Sequence, residues 1–207
     1  MNPKLRADID GCRVAHLRLG ATLELVTDDV ARRPSQLPGW TVGHVLAHLA
    51  RNADSHLRRI AGAARGEVVD QYPGGPEGRA AEIEAAAGRS AAELVADVLA
   101  TNAALEAAWE ALPEGAWGCH TRSVSGALLA ADALPFSRWR EVEVHHADIG
   151  LDFGYQEWSD GFVAEELPRA LATVPRRLAD PASRRQLCAW LLDRAATPGS
   201  LSLEPWG

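Results

Sequence analysis

The chain has 207 residues, 47% of them hydrophobic, which is enough to bury a substantial core and too many for a disordered chain. A net charge of -7, from 28 acidic and 21 basic side chains with no basic stripe, excludes a nucleic-acid surface as the working face. Cys12, Cys119 and Cys188 are too scattered for a disulfide framework or a zinc ribbon, and no run of about 18 apolar residues is available to cross a membrane, so a cytoplasmic protein is expected.

In chain order, Leu5, Ile9, Leu17, Leu23, Val26 and Val30 recur at close to helical spacing over residues 4 to 32. They predict one long helix, or two broken near Gly20, ended by the prolines of "RRPSQLPGW". A second helix is expected from Thr41, as N-cap, to Ala64, with Gly66 near its stop. "DQYPGGPEGR" reads as loop, because two prolines and three glycines deny it regular hydrogen bonding. Ser90 and Glu93 have capping-box spacing before Leu94, Val95, Val98, Leu99, Leu105, Trp109 and Leu112, which marks a third helix.

"PEGAWGCHTRSVSG" then reads as an irregular connection, and a fourth helix is expected from Asp132 to Ile149 with Pro135 in its first turn. Four such segments without a strand series predict a mainly α protein, an antiparallel four-helix bundle, over residues 1–155. Residues 156–207 are expected to form a small separate segment. It holds helical stretches near 160–178 and 183–196, the first interrupted by Pro168 and Pro175, and a closing "SLSLEPWG" with the look of a short strand.

The chemistry is concentrated on two of these helices. Glu141 and His145 lie four residues apart, so their side chains leave the fourth helix within roughly 40° of each other, with Asp148 on the same stripe beside apolar Val142 and Ile149. On the second helix, "GHVLAHLARN" sets His44 and His48 one turn apart, with Val45 and Leu49 flanking His48. If the two helices are neighbours, His48 can meet Glu141 and His145, and three such ligands with a free position are the pattern of a catalytic zinc site. Spacing alone also fits a surface Glu–His contact or a buried hydrogen-bonded histidine pair. His146 points about 100° away from His145 and is read as structural.

At "LPGWTVGHVLAHLARNADSH" together with "WREVEVHHADIGL" the sequence resembles the mycothiol-dependent maleylpyruvate isomerase family, within the broader group of DinB-like metalloenzymes. The resemblance spans roughly residues 5 to 155. It implies a DinB-like bundle holding a divalent metal, usually Zn2+, through His48, Glu141 and His145, with His44 outside the ligand set. Asp148 matches an acidic position where it would hold a ligand in place. Family members carry a C-terminal α/β domain that closes over the bundle and supplies an arginine. "LCAWLLDRA" resembles the end of that domain and puts Arg194 forward to grip a substrate carboxylate. Here "LADPAS" stands where a strand is expected, so the segment is read as a reduced α/β or helical lid.

The activity implied is a mycothiol-dependent cis-trans isomerisation of maleylpyruvate to fumarylpyruvate. A thiolate adds to the double bond, the resulting single bond rotates, and expulsion of the thiol restores the alkene in its trans form. No protein cysteine is needed. The same residues would serve an S-transferase that leaves the thiol on an electrophile, and a metal-binding bundle without catalysis is the remaining alternative. The partners in either enzyme reading are a small-molecule substrate and a low-molecular-weight thiol.

Overall fold

Helices begin where the chain supplies caps in the computed structural model, which describes residues 2–196, 198–199 and 201–204. α1 spans Pro3–Leu23 behind Asn2, whose side chain accepts from the amide of Leu5. It runs unbroken through Gly20, and the break falls later, before α2 at Asp28–Arg32. The buried stripe of α1 follows Leu5, Ile9, Cys12, Leu19 and Leu23, which leaves Leu17 76% exposed in place of the core position expected for it.

α3 spans Val42–Ala64 behind Thr41, whose hydroxyl accepts from the His44 amide while His44 Nδ1 accepts from the Thr41 amide at 3.2 Å. Histidine thus closes a capping box usually completed by Glu or Gln. α4 spans Gly75–Ala87 and corrects the reading of residues 70–79 as loop throughout. Pro76 sits in its first turn, where a missing N–H costs nothing, and Gly78 passes so close to Pro73 that a methyl group there would overlap the Pro73 carbonyl oxygen. The residues that read as breakers build the entry to a helix.

α5 spans Ala91–Ala111 and starts with the expected Ser90–Glu93 capping box. Part of the connection expected to be irregular is a hairpin, β1 (His120–Arg122) antiparallel to β2 (Leu128–Ala130), turned at Gly126 with φ +85°. α6 spans Leu134–Asp148 with Pro135 in its first turn.

Contacts fix the helix directions. Gly11 meets Trp139, Arg18 lies near Glu143 and Thr22 near His146, so α1 and α6 run the same way. Arg51 pairs with Asp97, and Asn52 and Asn102 share one partner, so α3 and α5 also run together. His48 meets Glu141 and Asn52 meets Arg138, so the two pairs are opposed. α4 makes this order possible by running back along α3, with Gly43 against Ala87 at one end and His48 against Arg79 at the other. It is the crossover that a bundle with parallel neighbours requires.

At the centre lies Arg138, fully buried. Its Nη1 donates to the Leu49 carbonyl at 2.9 Å and to Asn52 Oδ1 at 2.8 Å, and its Nη2 donates to Asn102 Oδ1 at 2.7 Å. His16 accepts from Arg138 Nε and pairs through Nδ1 with Glu106 at 2.7 Å. Four helices meet around one guanidinium whose three nitrogens all donate hydrogen bonds.

The chain divides into two compact units, Met1–Trp158 and Ser159–Gly207. In the second, α7 (Asp160–Arg177) passes through Pro168 and Pro175 without ending, because both prolines are exposed and the carbonyls they leave unbonded can turn to water. α8 (Pro181–Leu191) starts behind Asp180 and ends before Asp193, whose φ is +54°. The Glu204 amide donates to the Arg177 carbonyl at 2.8 Å, but residues 201–204 form no strand. Ser200 and residues 205–207 of the expected strand lie outside the described residues. Among the described residues no helix is long and apolar enough to cross a membrane.

Candidate metal centre

His48 lies on the core-facing stripe of α3 between Val45 and Leu49, all three buried. Across the α3–α6 interface its Nε2 is 3.0 Å from Glu141 Oε2. One turn along α6, His145 Nε2 is 3.6 Å from the same oxygen. The two rings meet edge-on with centroids 4.5 Å apart. Each of the three residues offers one ligand atom, and these atoms lie within 4.8 Å of one another.

The donor set suits a divalent ion. Tetrahedral ligation at about 2.0 to 2.1 Å separates neighbouring ligand atoms by about 3.3 Å. The separations of 3.0 and 3.6 Å bracket that value. Two imidazoles and one carboxylate match zinc, and three protein ligands leave capacity for an outside ligand.

Surroundings set the charge on each member. Burial works to raise the Glu141 carboxyl, but hydrogen bonds with His145 and His48 outweigh it and hold the group well below the usual carboxylate range. His48 is pushed down to about 4 by burial, against the opposing pull of Glu141, and is neutral at pH 7. Burial also works to lower His145, yet its hydrogen bonds to Asp148 and Glu141 raise it to about 9.

Asp148 accepts from His145 Nδ1 at 2.8 Å, which orients the ring with Nε2 toward Glu141. Trp40 packs edge-on against His48, with ring centroids 5.7 Å apart, and stacks on His44. His44 itself is committed elsewhere, its Nδ1 to the Thr41 cap and its Nε2 3.3 Å from Glu84 on α4. His146 is buried, bonded to Thr22 at 2.8 Å and stacked on Phe153, in the structural role expected for it.

Arg194 belongs to the second unit. It is exposed beyond α8, where its Nη1 donates to the Asp193 carbonyl at 3.3 Å. All three cysteines are free, and burial pushes the Cys12 thiol far up, so that side chain is an inert core residue.

Nothing in the local sequence marks Arg79 as part of this centre. Its Nη2 donates to His48 Nδ1 at 3.2 Å from the second turn of α4. No spacing rule links it to His48, and it lies in a stretch whose composition reads as loop.

Residues 12–150 match the family model of the mycothiol maleylpyruvate isomerase N-terminal domain. Among solved structures, the crystal structure of the mycothiol-dependent maleylpyruvate isomerase is 26% identical, with a TM-score of 0.74 over 77% of this chain and 66% of that one. A histidine-to-alanine variant of that isomerase gives the same figures. This chain therefore spans just under two thirds of the isomerase's length. YfiT from Bacillus subtilis, described as a probable metal-dependent hydrolase with an unusual four-helix bundle topology, shares the fold at 18% identity and a TM-score of 0.58, over 72% of this chain and 86% of its own. No curated protein matches.

Proposed function

Because this chain belongs to the family defined by the mycothiol maleylpyruvate isomerase N-terminal domain, we propose that it is a metal- and thiol-dependent cis-trans isomerase acting on a small unsaturated acid of the maleylpyruvate type. The observation that carries this reading is the convergence of His48, Glu141 and His145, from two helices, on one point. A divalent ion held there, zinc by its donor set, supplies a lowered pKa to a low-molecular-weight thiol, mycothiol in this family, so that thiolate is present at neutral pH.

The chain's own residues prepare the site. Glu141 brings the negative charge, His48 brings a neutral ring, and Asp148 holds His145 in the orientation that turns Nε2 inward. Trp40 covers one side of His48. In the isomerase reading Arg194 binds a substrate carboxylate and Asp148 acts through His145.

The test is to incubate zinc-loaded protein with mycothiol and maleylpyruvate and to follow fumarylpyruvate formation by absorbance. Isomerisation above the rate with thiol alone, with the thiol recovered after many turnovers, is expected, and His48→Ala or His145→Ala should lose both metal and activity. Consumption of one thiol per substrate would replace the isomerase reading with that of an S-transferase. No acceleration by a zinc-loaded protein would leave a metal-binding bundle without this activity.

A further inference from the structure

Histidine binds a metal through a ring nitrogen that carries no proton, so a neutral ring ligated at one nitrogen has its N–H at the other. In the present arrangement Arg79 Nη2 points at His48 Nδ1 from 3.2 Å. Arginine has donors only, so Nδ1 must be the acceptor and the ring proton must sit on Nε2, facing Glu141 at 3.0 Å. An ion at Nε2 reverses this assignment. The proton then belongs on Nδ1, where it would face the guanidinium donor head-on. The Arg79 contact and a metal on His48 Nε2 are mutually exclusive.

Arg79 is well placed for another role once displaced. It is part-buried, and among the described residues no carboxylate lies within ion-pair distance of it, whereas Arg89, past the far end of the same helix, and Arg51 on α3 both pair with Asp97. Its position is built rather than incidental, since the left-handed Gly74 and Gly75 (φ +74° and +64°) and the close passage of Gly78 by Pro73 set the angle at which α4 leaves the loop.

We propose that Arg79 is the anion-binding residue of the metal centre, held on His48 in the metal-free protein, released when the metal binds, and then free to grip a carboxylate of the incoming acid. The inference rests on the metal reading given above. It assigns the carboxylate contact to the bundle itself, independently of Arg194.

The test compares wild-type protein with Arg79→Gln and Arg79→Lys, each checked for unchanged helical content by circular dichroism. Zinc alone is titrated in competition with a chromogenic chelator, and maleate, a cis dicarboxylate, is titrated into the zinc-loaded proteins by calorimetry. Arg79→Gln offers an acceptor to Nδ1–H in place of a donor, so it should bind zinc roughly tenfold more tightly. It should also bind maleate at least tenfold more weakly, with Arg79→Lys keeping more of the maleate affinity than Arg79→Gln. A merely structural arginine would leave zinc affinity unchanged or lower it on removal, and either result overturns the exchange at His48. Unchanged maleate affinity in Arg79→Gln overturns the anion assignment. Absence of zinc from wild type and variants alike would sink the metal reading and this inference together, whereas zinc bound equally by all three sinks this inference alone.

Discussion

Metal loading should release one proton, and its source can be named. Of the three candidate ligands, Glu141 is held ionised and His48, at about 4, is already neutral, so neither gives up a proton at pH 7. His145, raised to about 9, is protonated in all but roughly one molecule in a hundred at that pH. Displacing that proton costs the ion about 2 to 3 kcal/mol at pH 7. The apparent zinc affinity should therefore rise about tenfold per pH unit between pH 6 and pH 8, since one proton leaves for each ion that enters. Calorimetric titration of zinc in two buffers of different ionisation enthalpy counts the protons directly. Asp148→Asn, which takes away the charged acceptor at His145 Nδ1, should lower the proton count at pH 8 and also weaken zinc binding by about 10- to 100-fold. Zero or two protons per zinc at pH 7 would refute the assignment of charges to the three ligands.

Acid should destabilise the metal-free bundle. His48 and His146 are both lowered to about 4, mainly by burial, and buried His16 and His56 are also lowered. Histidines depressed in the fold stabilise it above about pH 6.5, and that contribution is lost as the pH falls toward 4, by about 2 kcal/mol for each of His48 and His146 at pH 5. His145 has the opposite sign, adding stability that is complete below about pH 6.5 and disappears as the pH rises through 9. Urea midpoints at pH 5, 7 and 9.5 should therefore peak near neutrality, and a midpoint at pH 5 equal to that at pH 7 would contradict the burial argument. Arg138→Met should strand the Leu49 carbonyl and the Asn52 and Asn102 side-chain oxygens. At roughly 1 to 3 kcal/mol per stranded group, a loss of about 3 kcal/mol or more is expected from chemical denaturation, and a wild-type midpoint would contradict it.

Local signals carried most of the fold and the candidate ligands. Thr41 and Ser90 announce helix starts through bonds made within one turn, and the Glu141–His145 spacing fixes a shared face whatever surrounds it. The distant signals were absent. α4 was hidden because Pro76 and three glycines have loop composition, and what makes them helical is a close passage of Gly78 by Pro73 that no periodicity encodes. The hairpin strands are three residues each, too short to show alternation. Arg138 and Arg79 owe their roles to partners tens of residues away, so nothing in their neighbours marks them.

The bonds made by Arg138 also bear on where the two halves of the metal centre sit along the bundle axis. Arg138 lies one turn before Glu141 on α6, and its partners Leu49 and Asn52 lie just beyond His48 on α3. Sliding one helix past the other by a single turn, about 5.4 Å, would break both of those bonds and carry Glu141 past His48 together. The buried cation thus acts as an index pin for the helix register, and a mismatch in sliding is penalised deep in the core at the same step that would part His48 from Glu141.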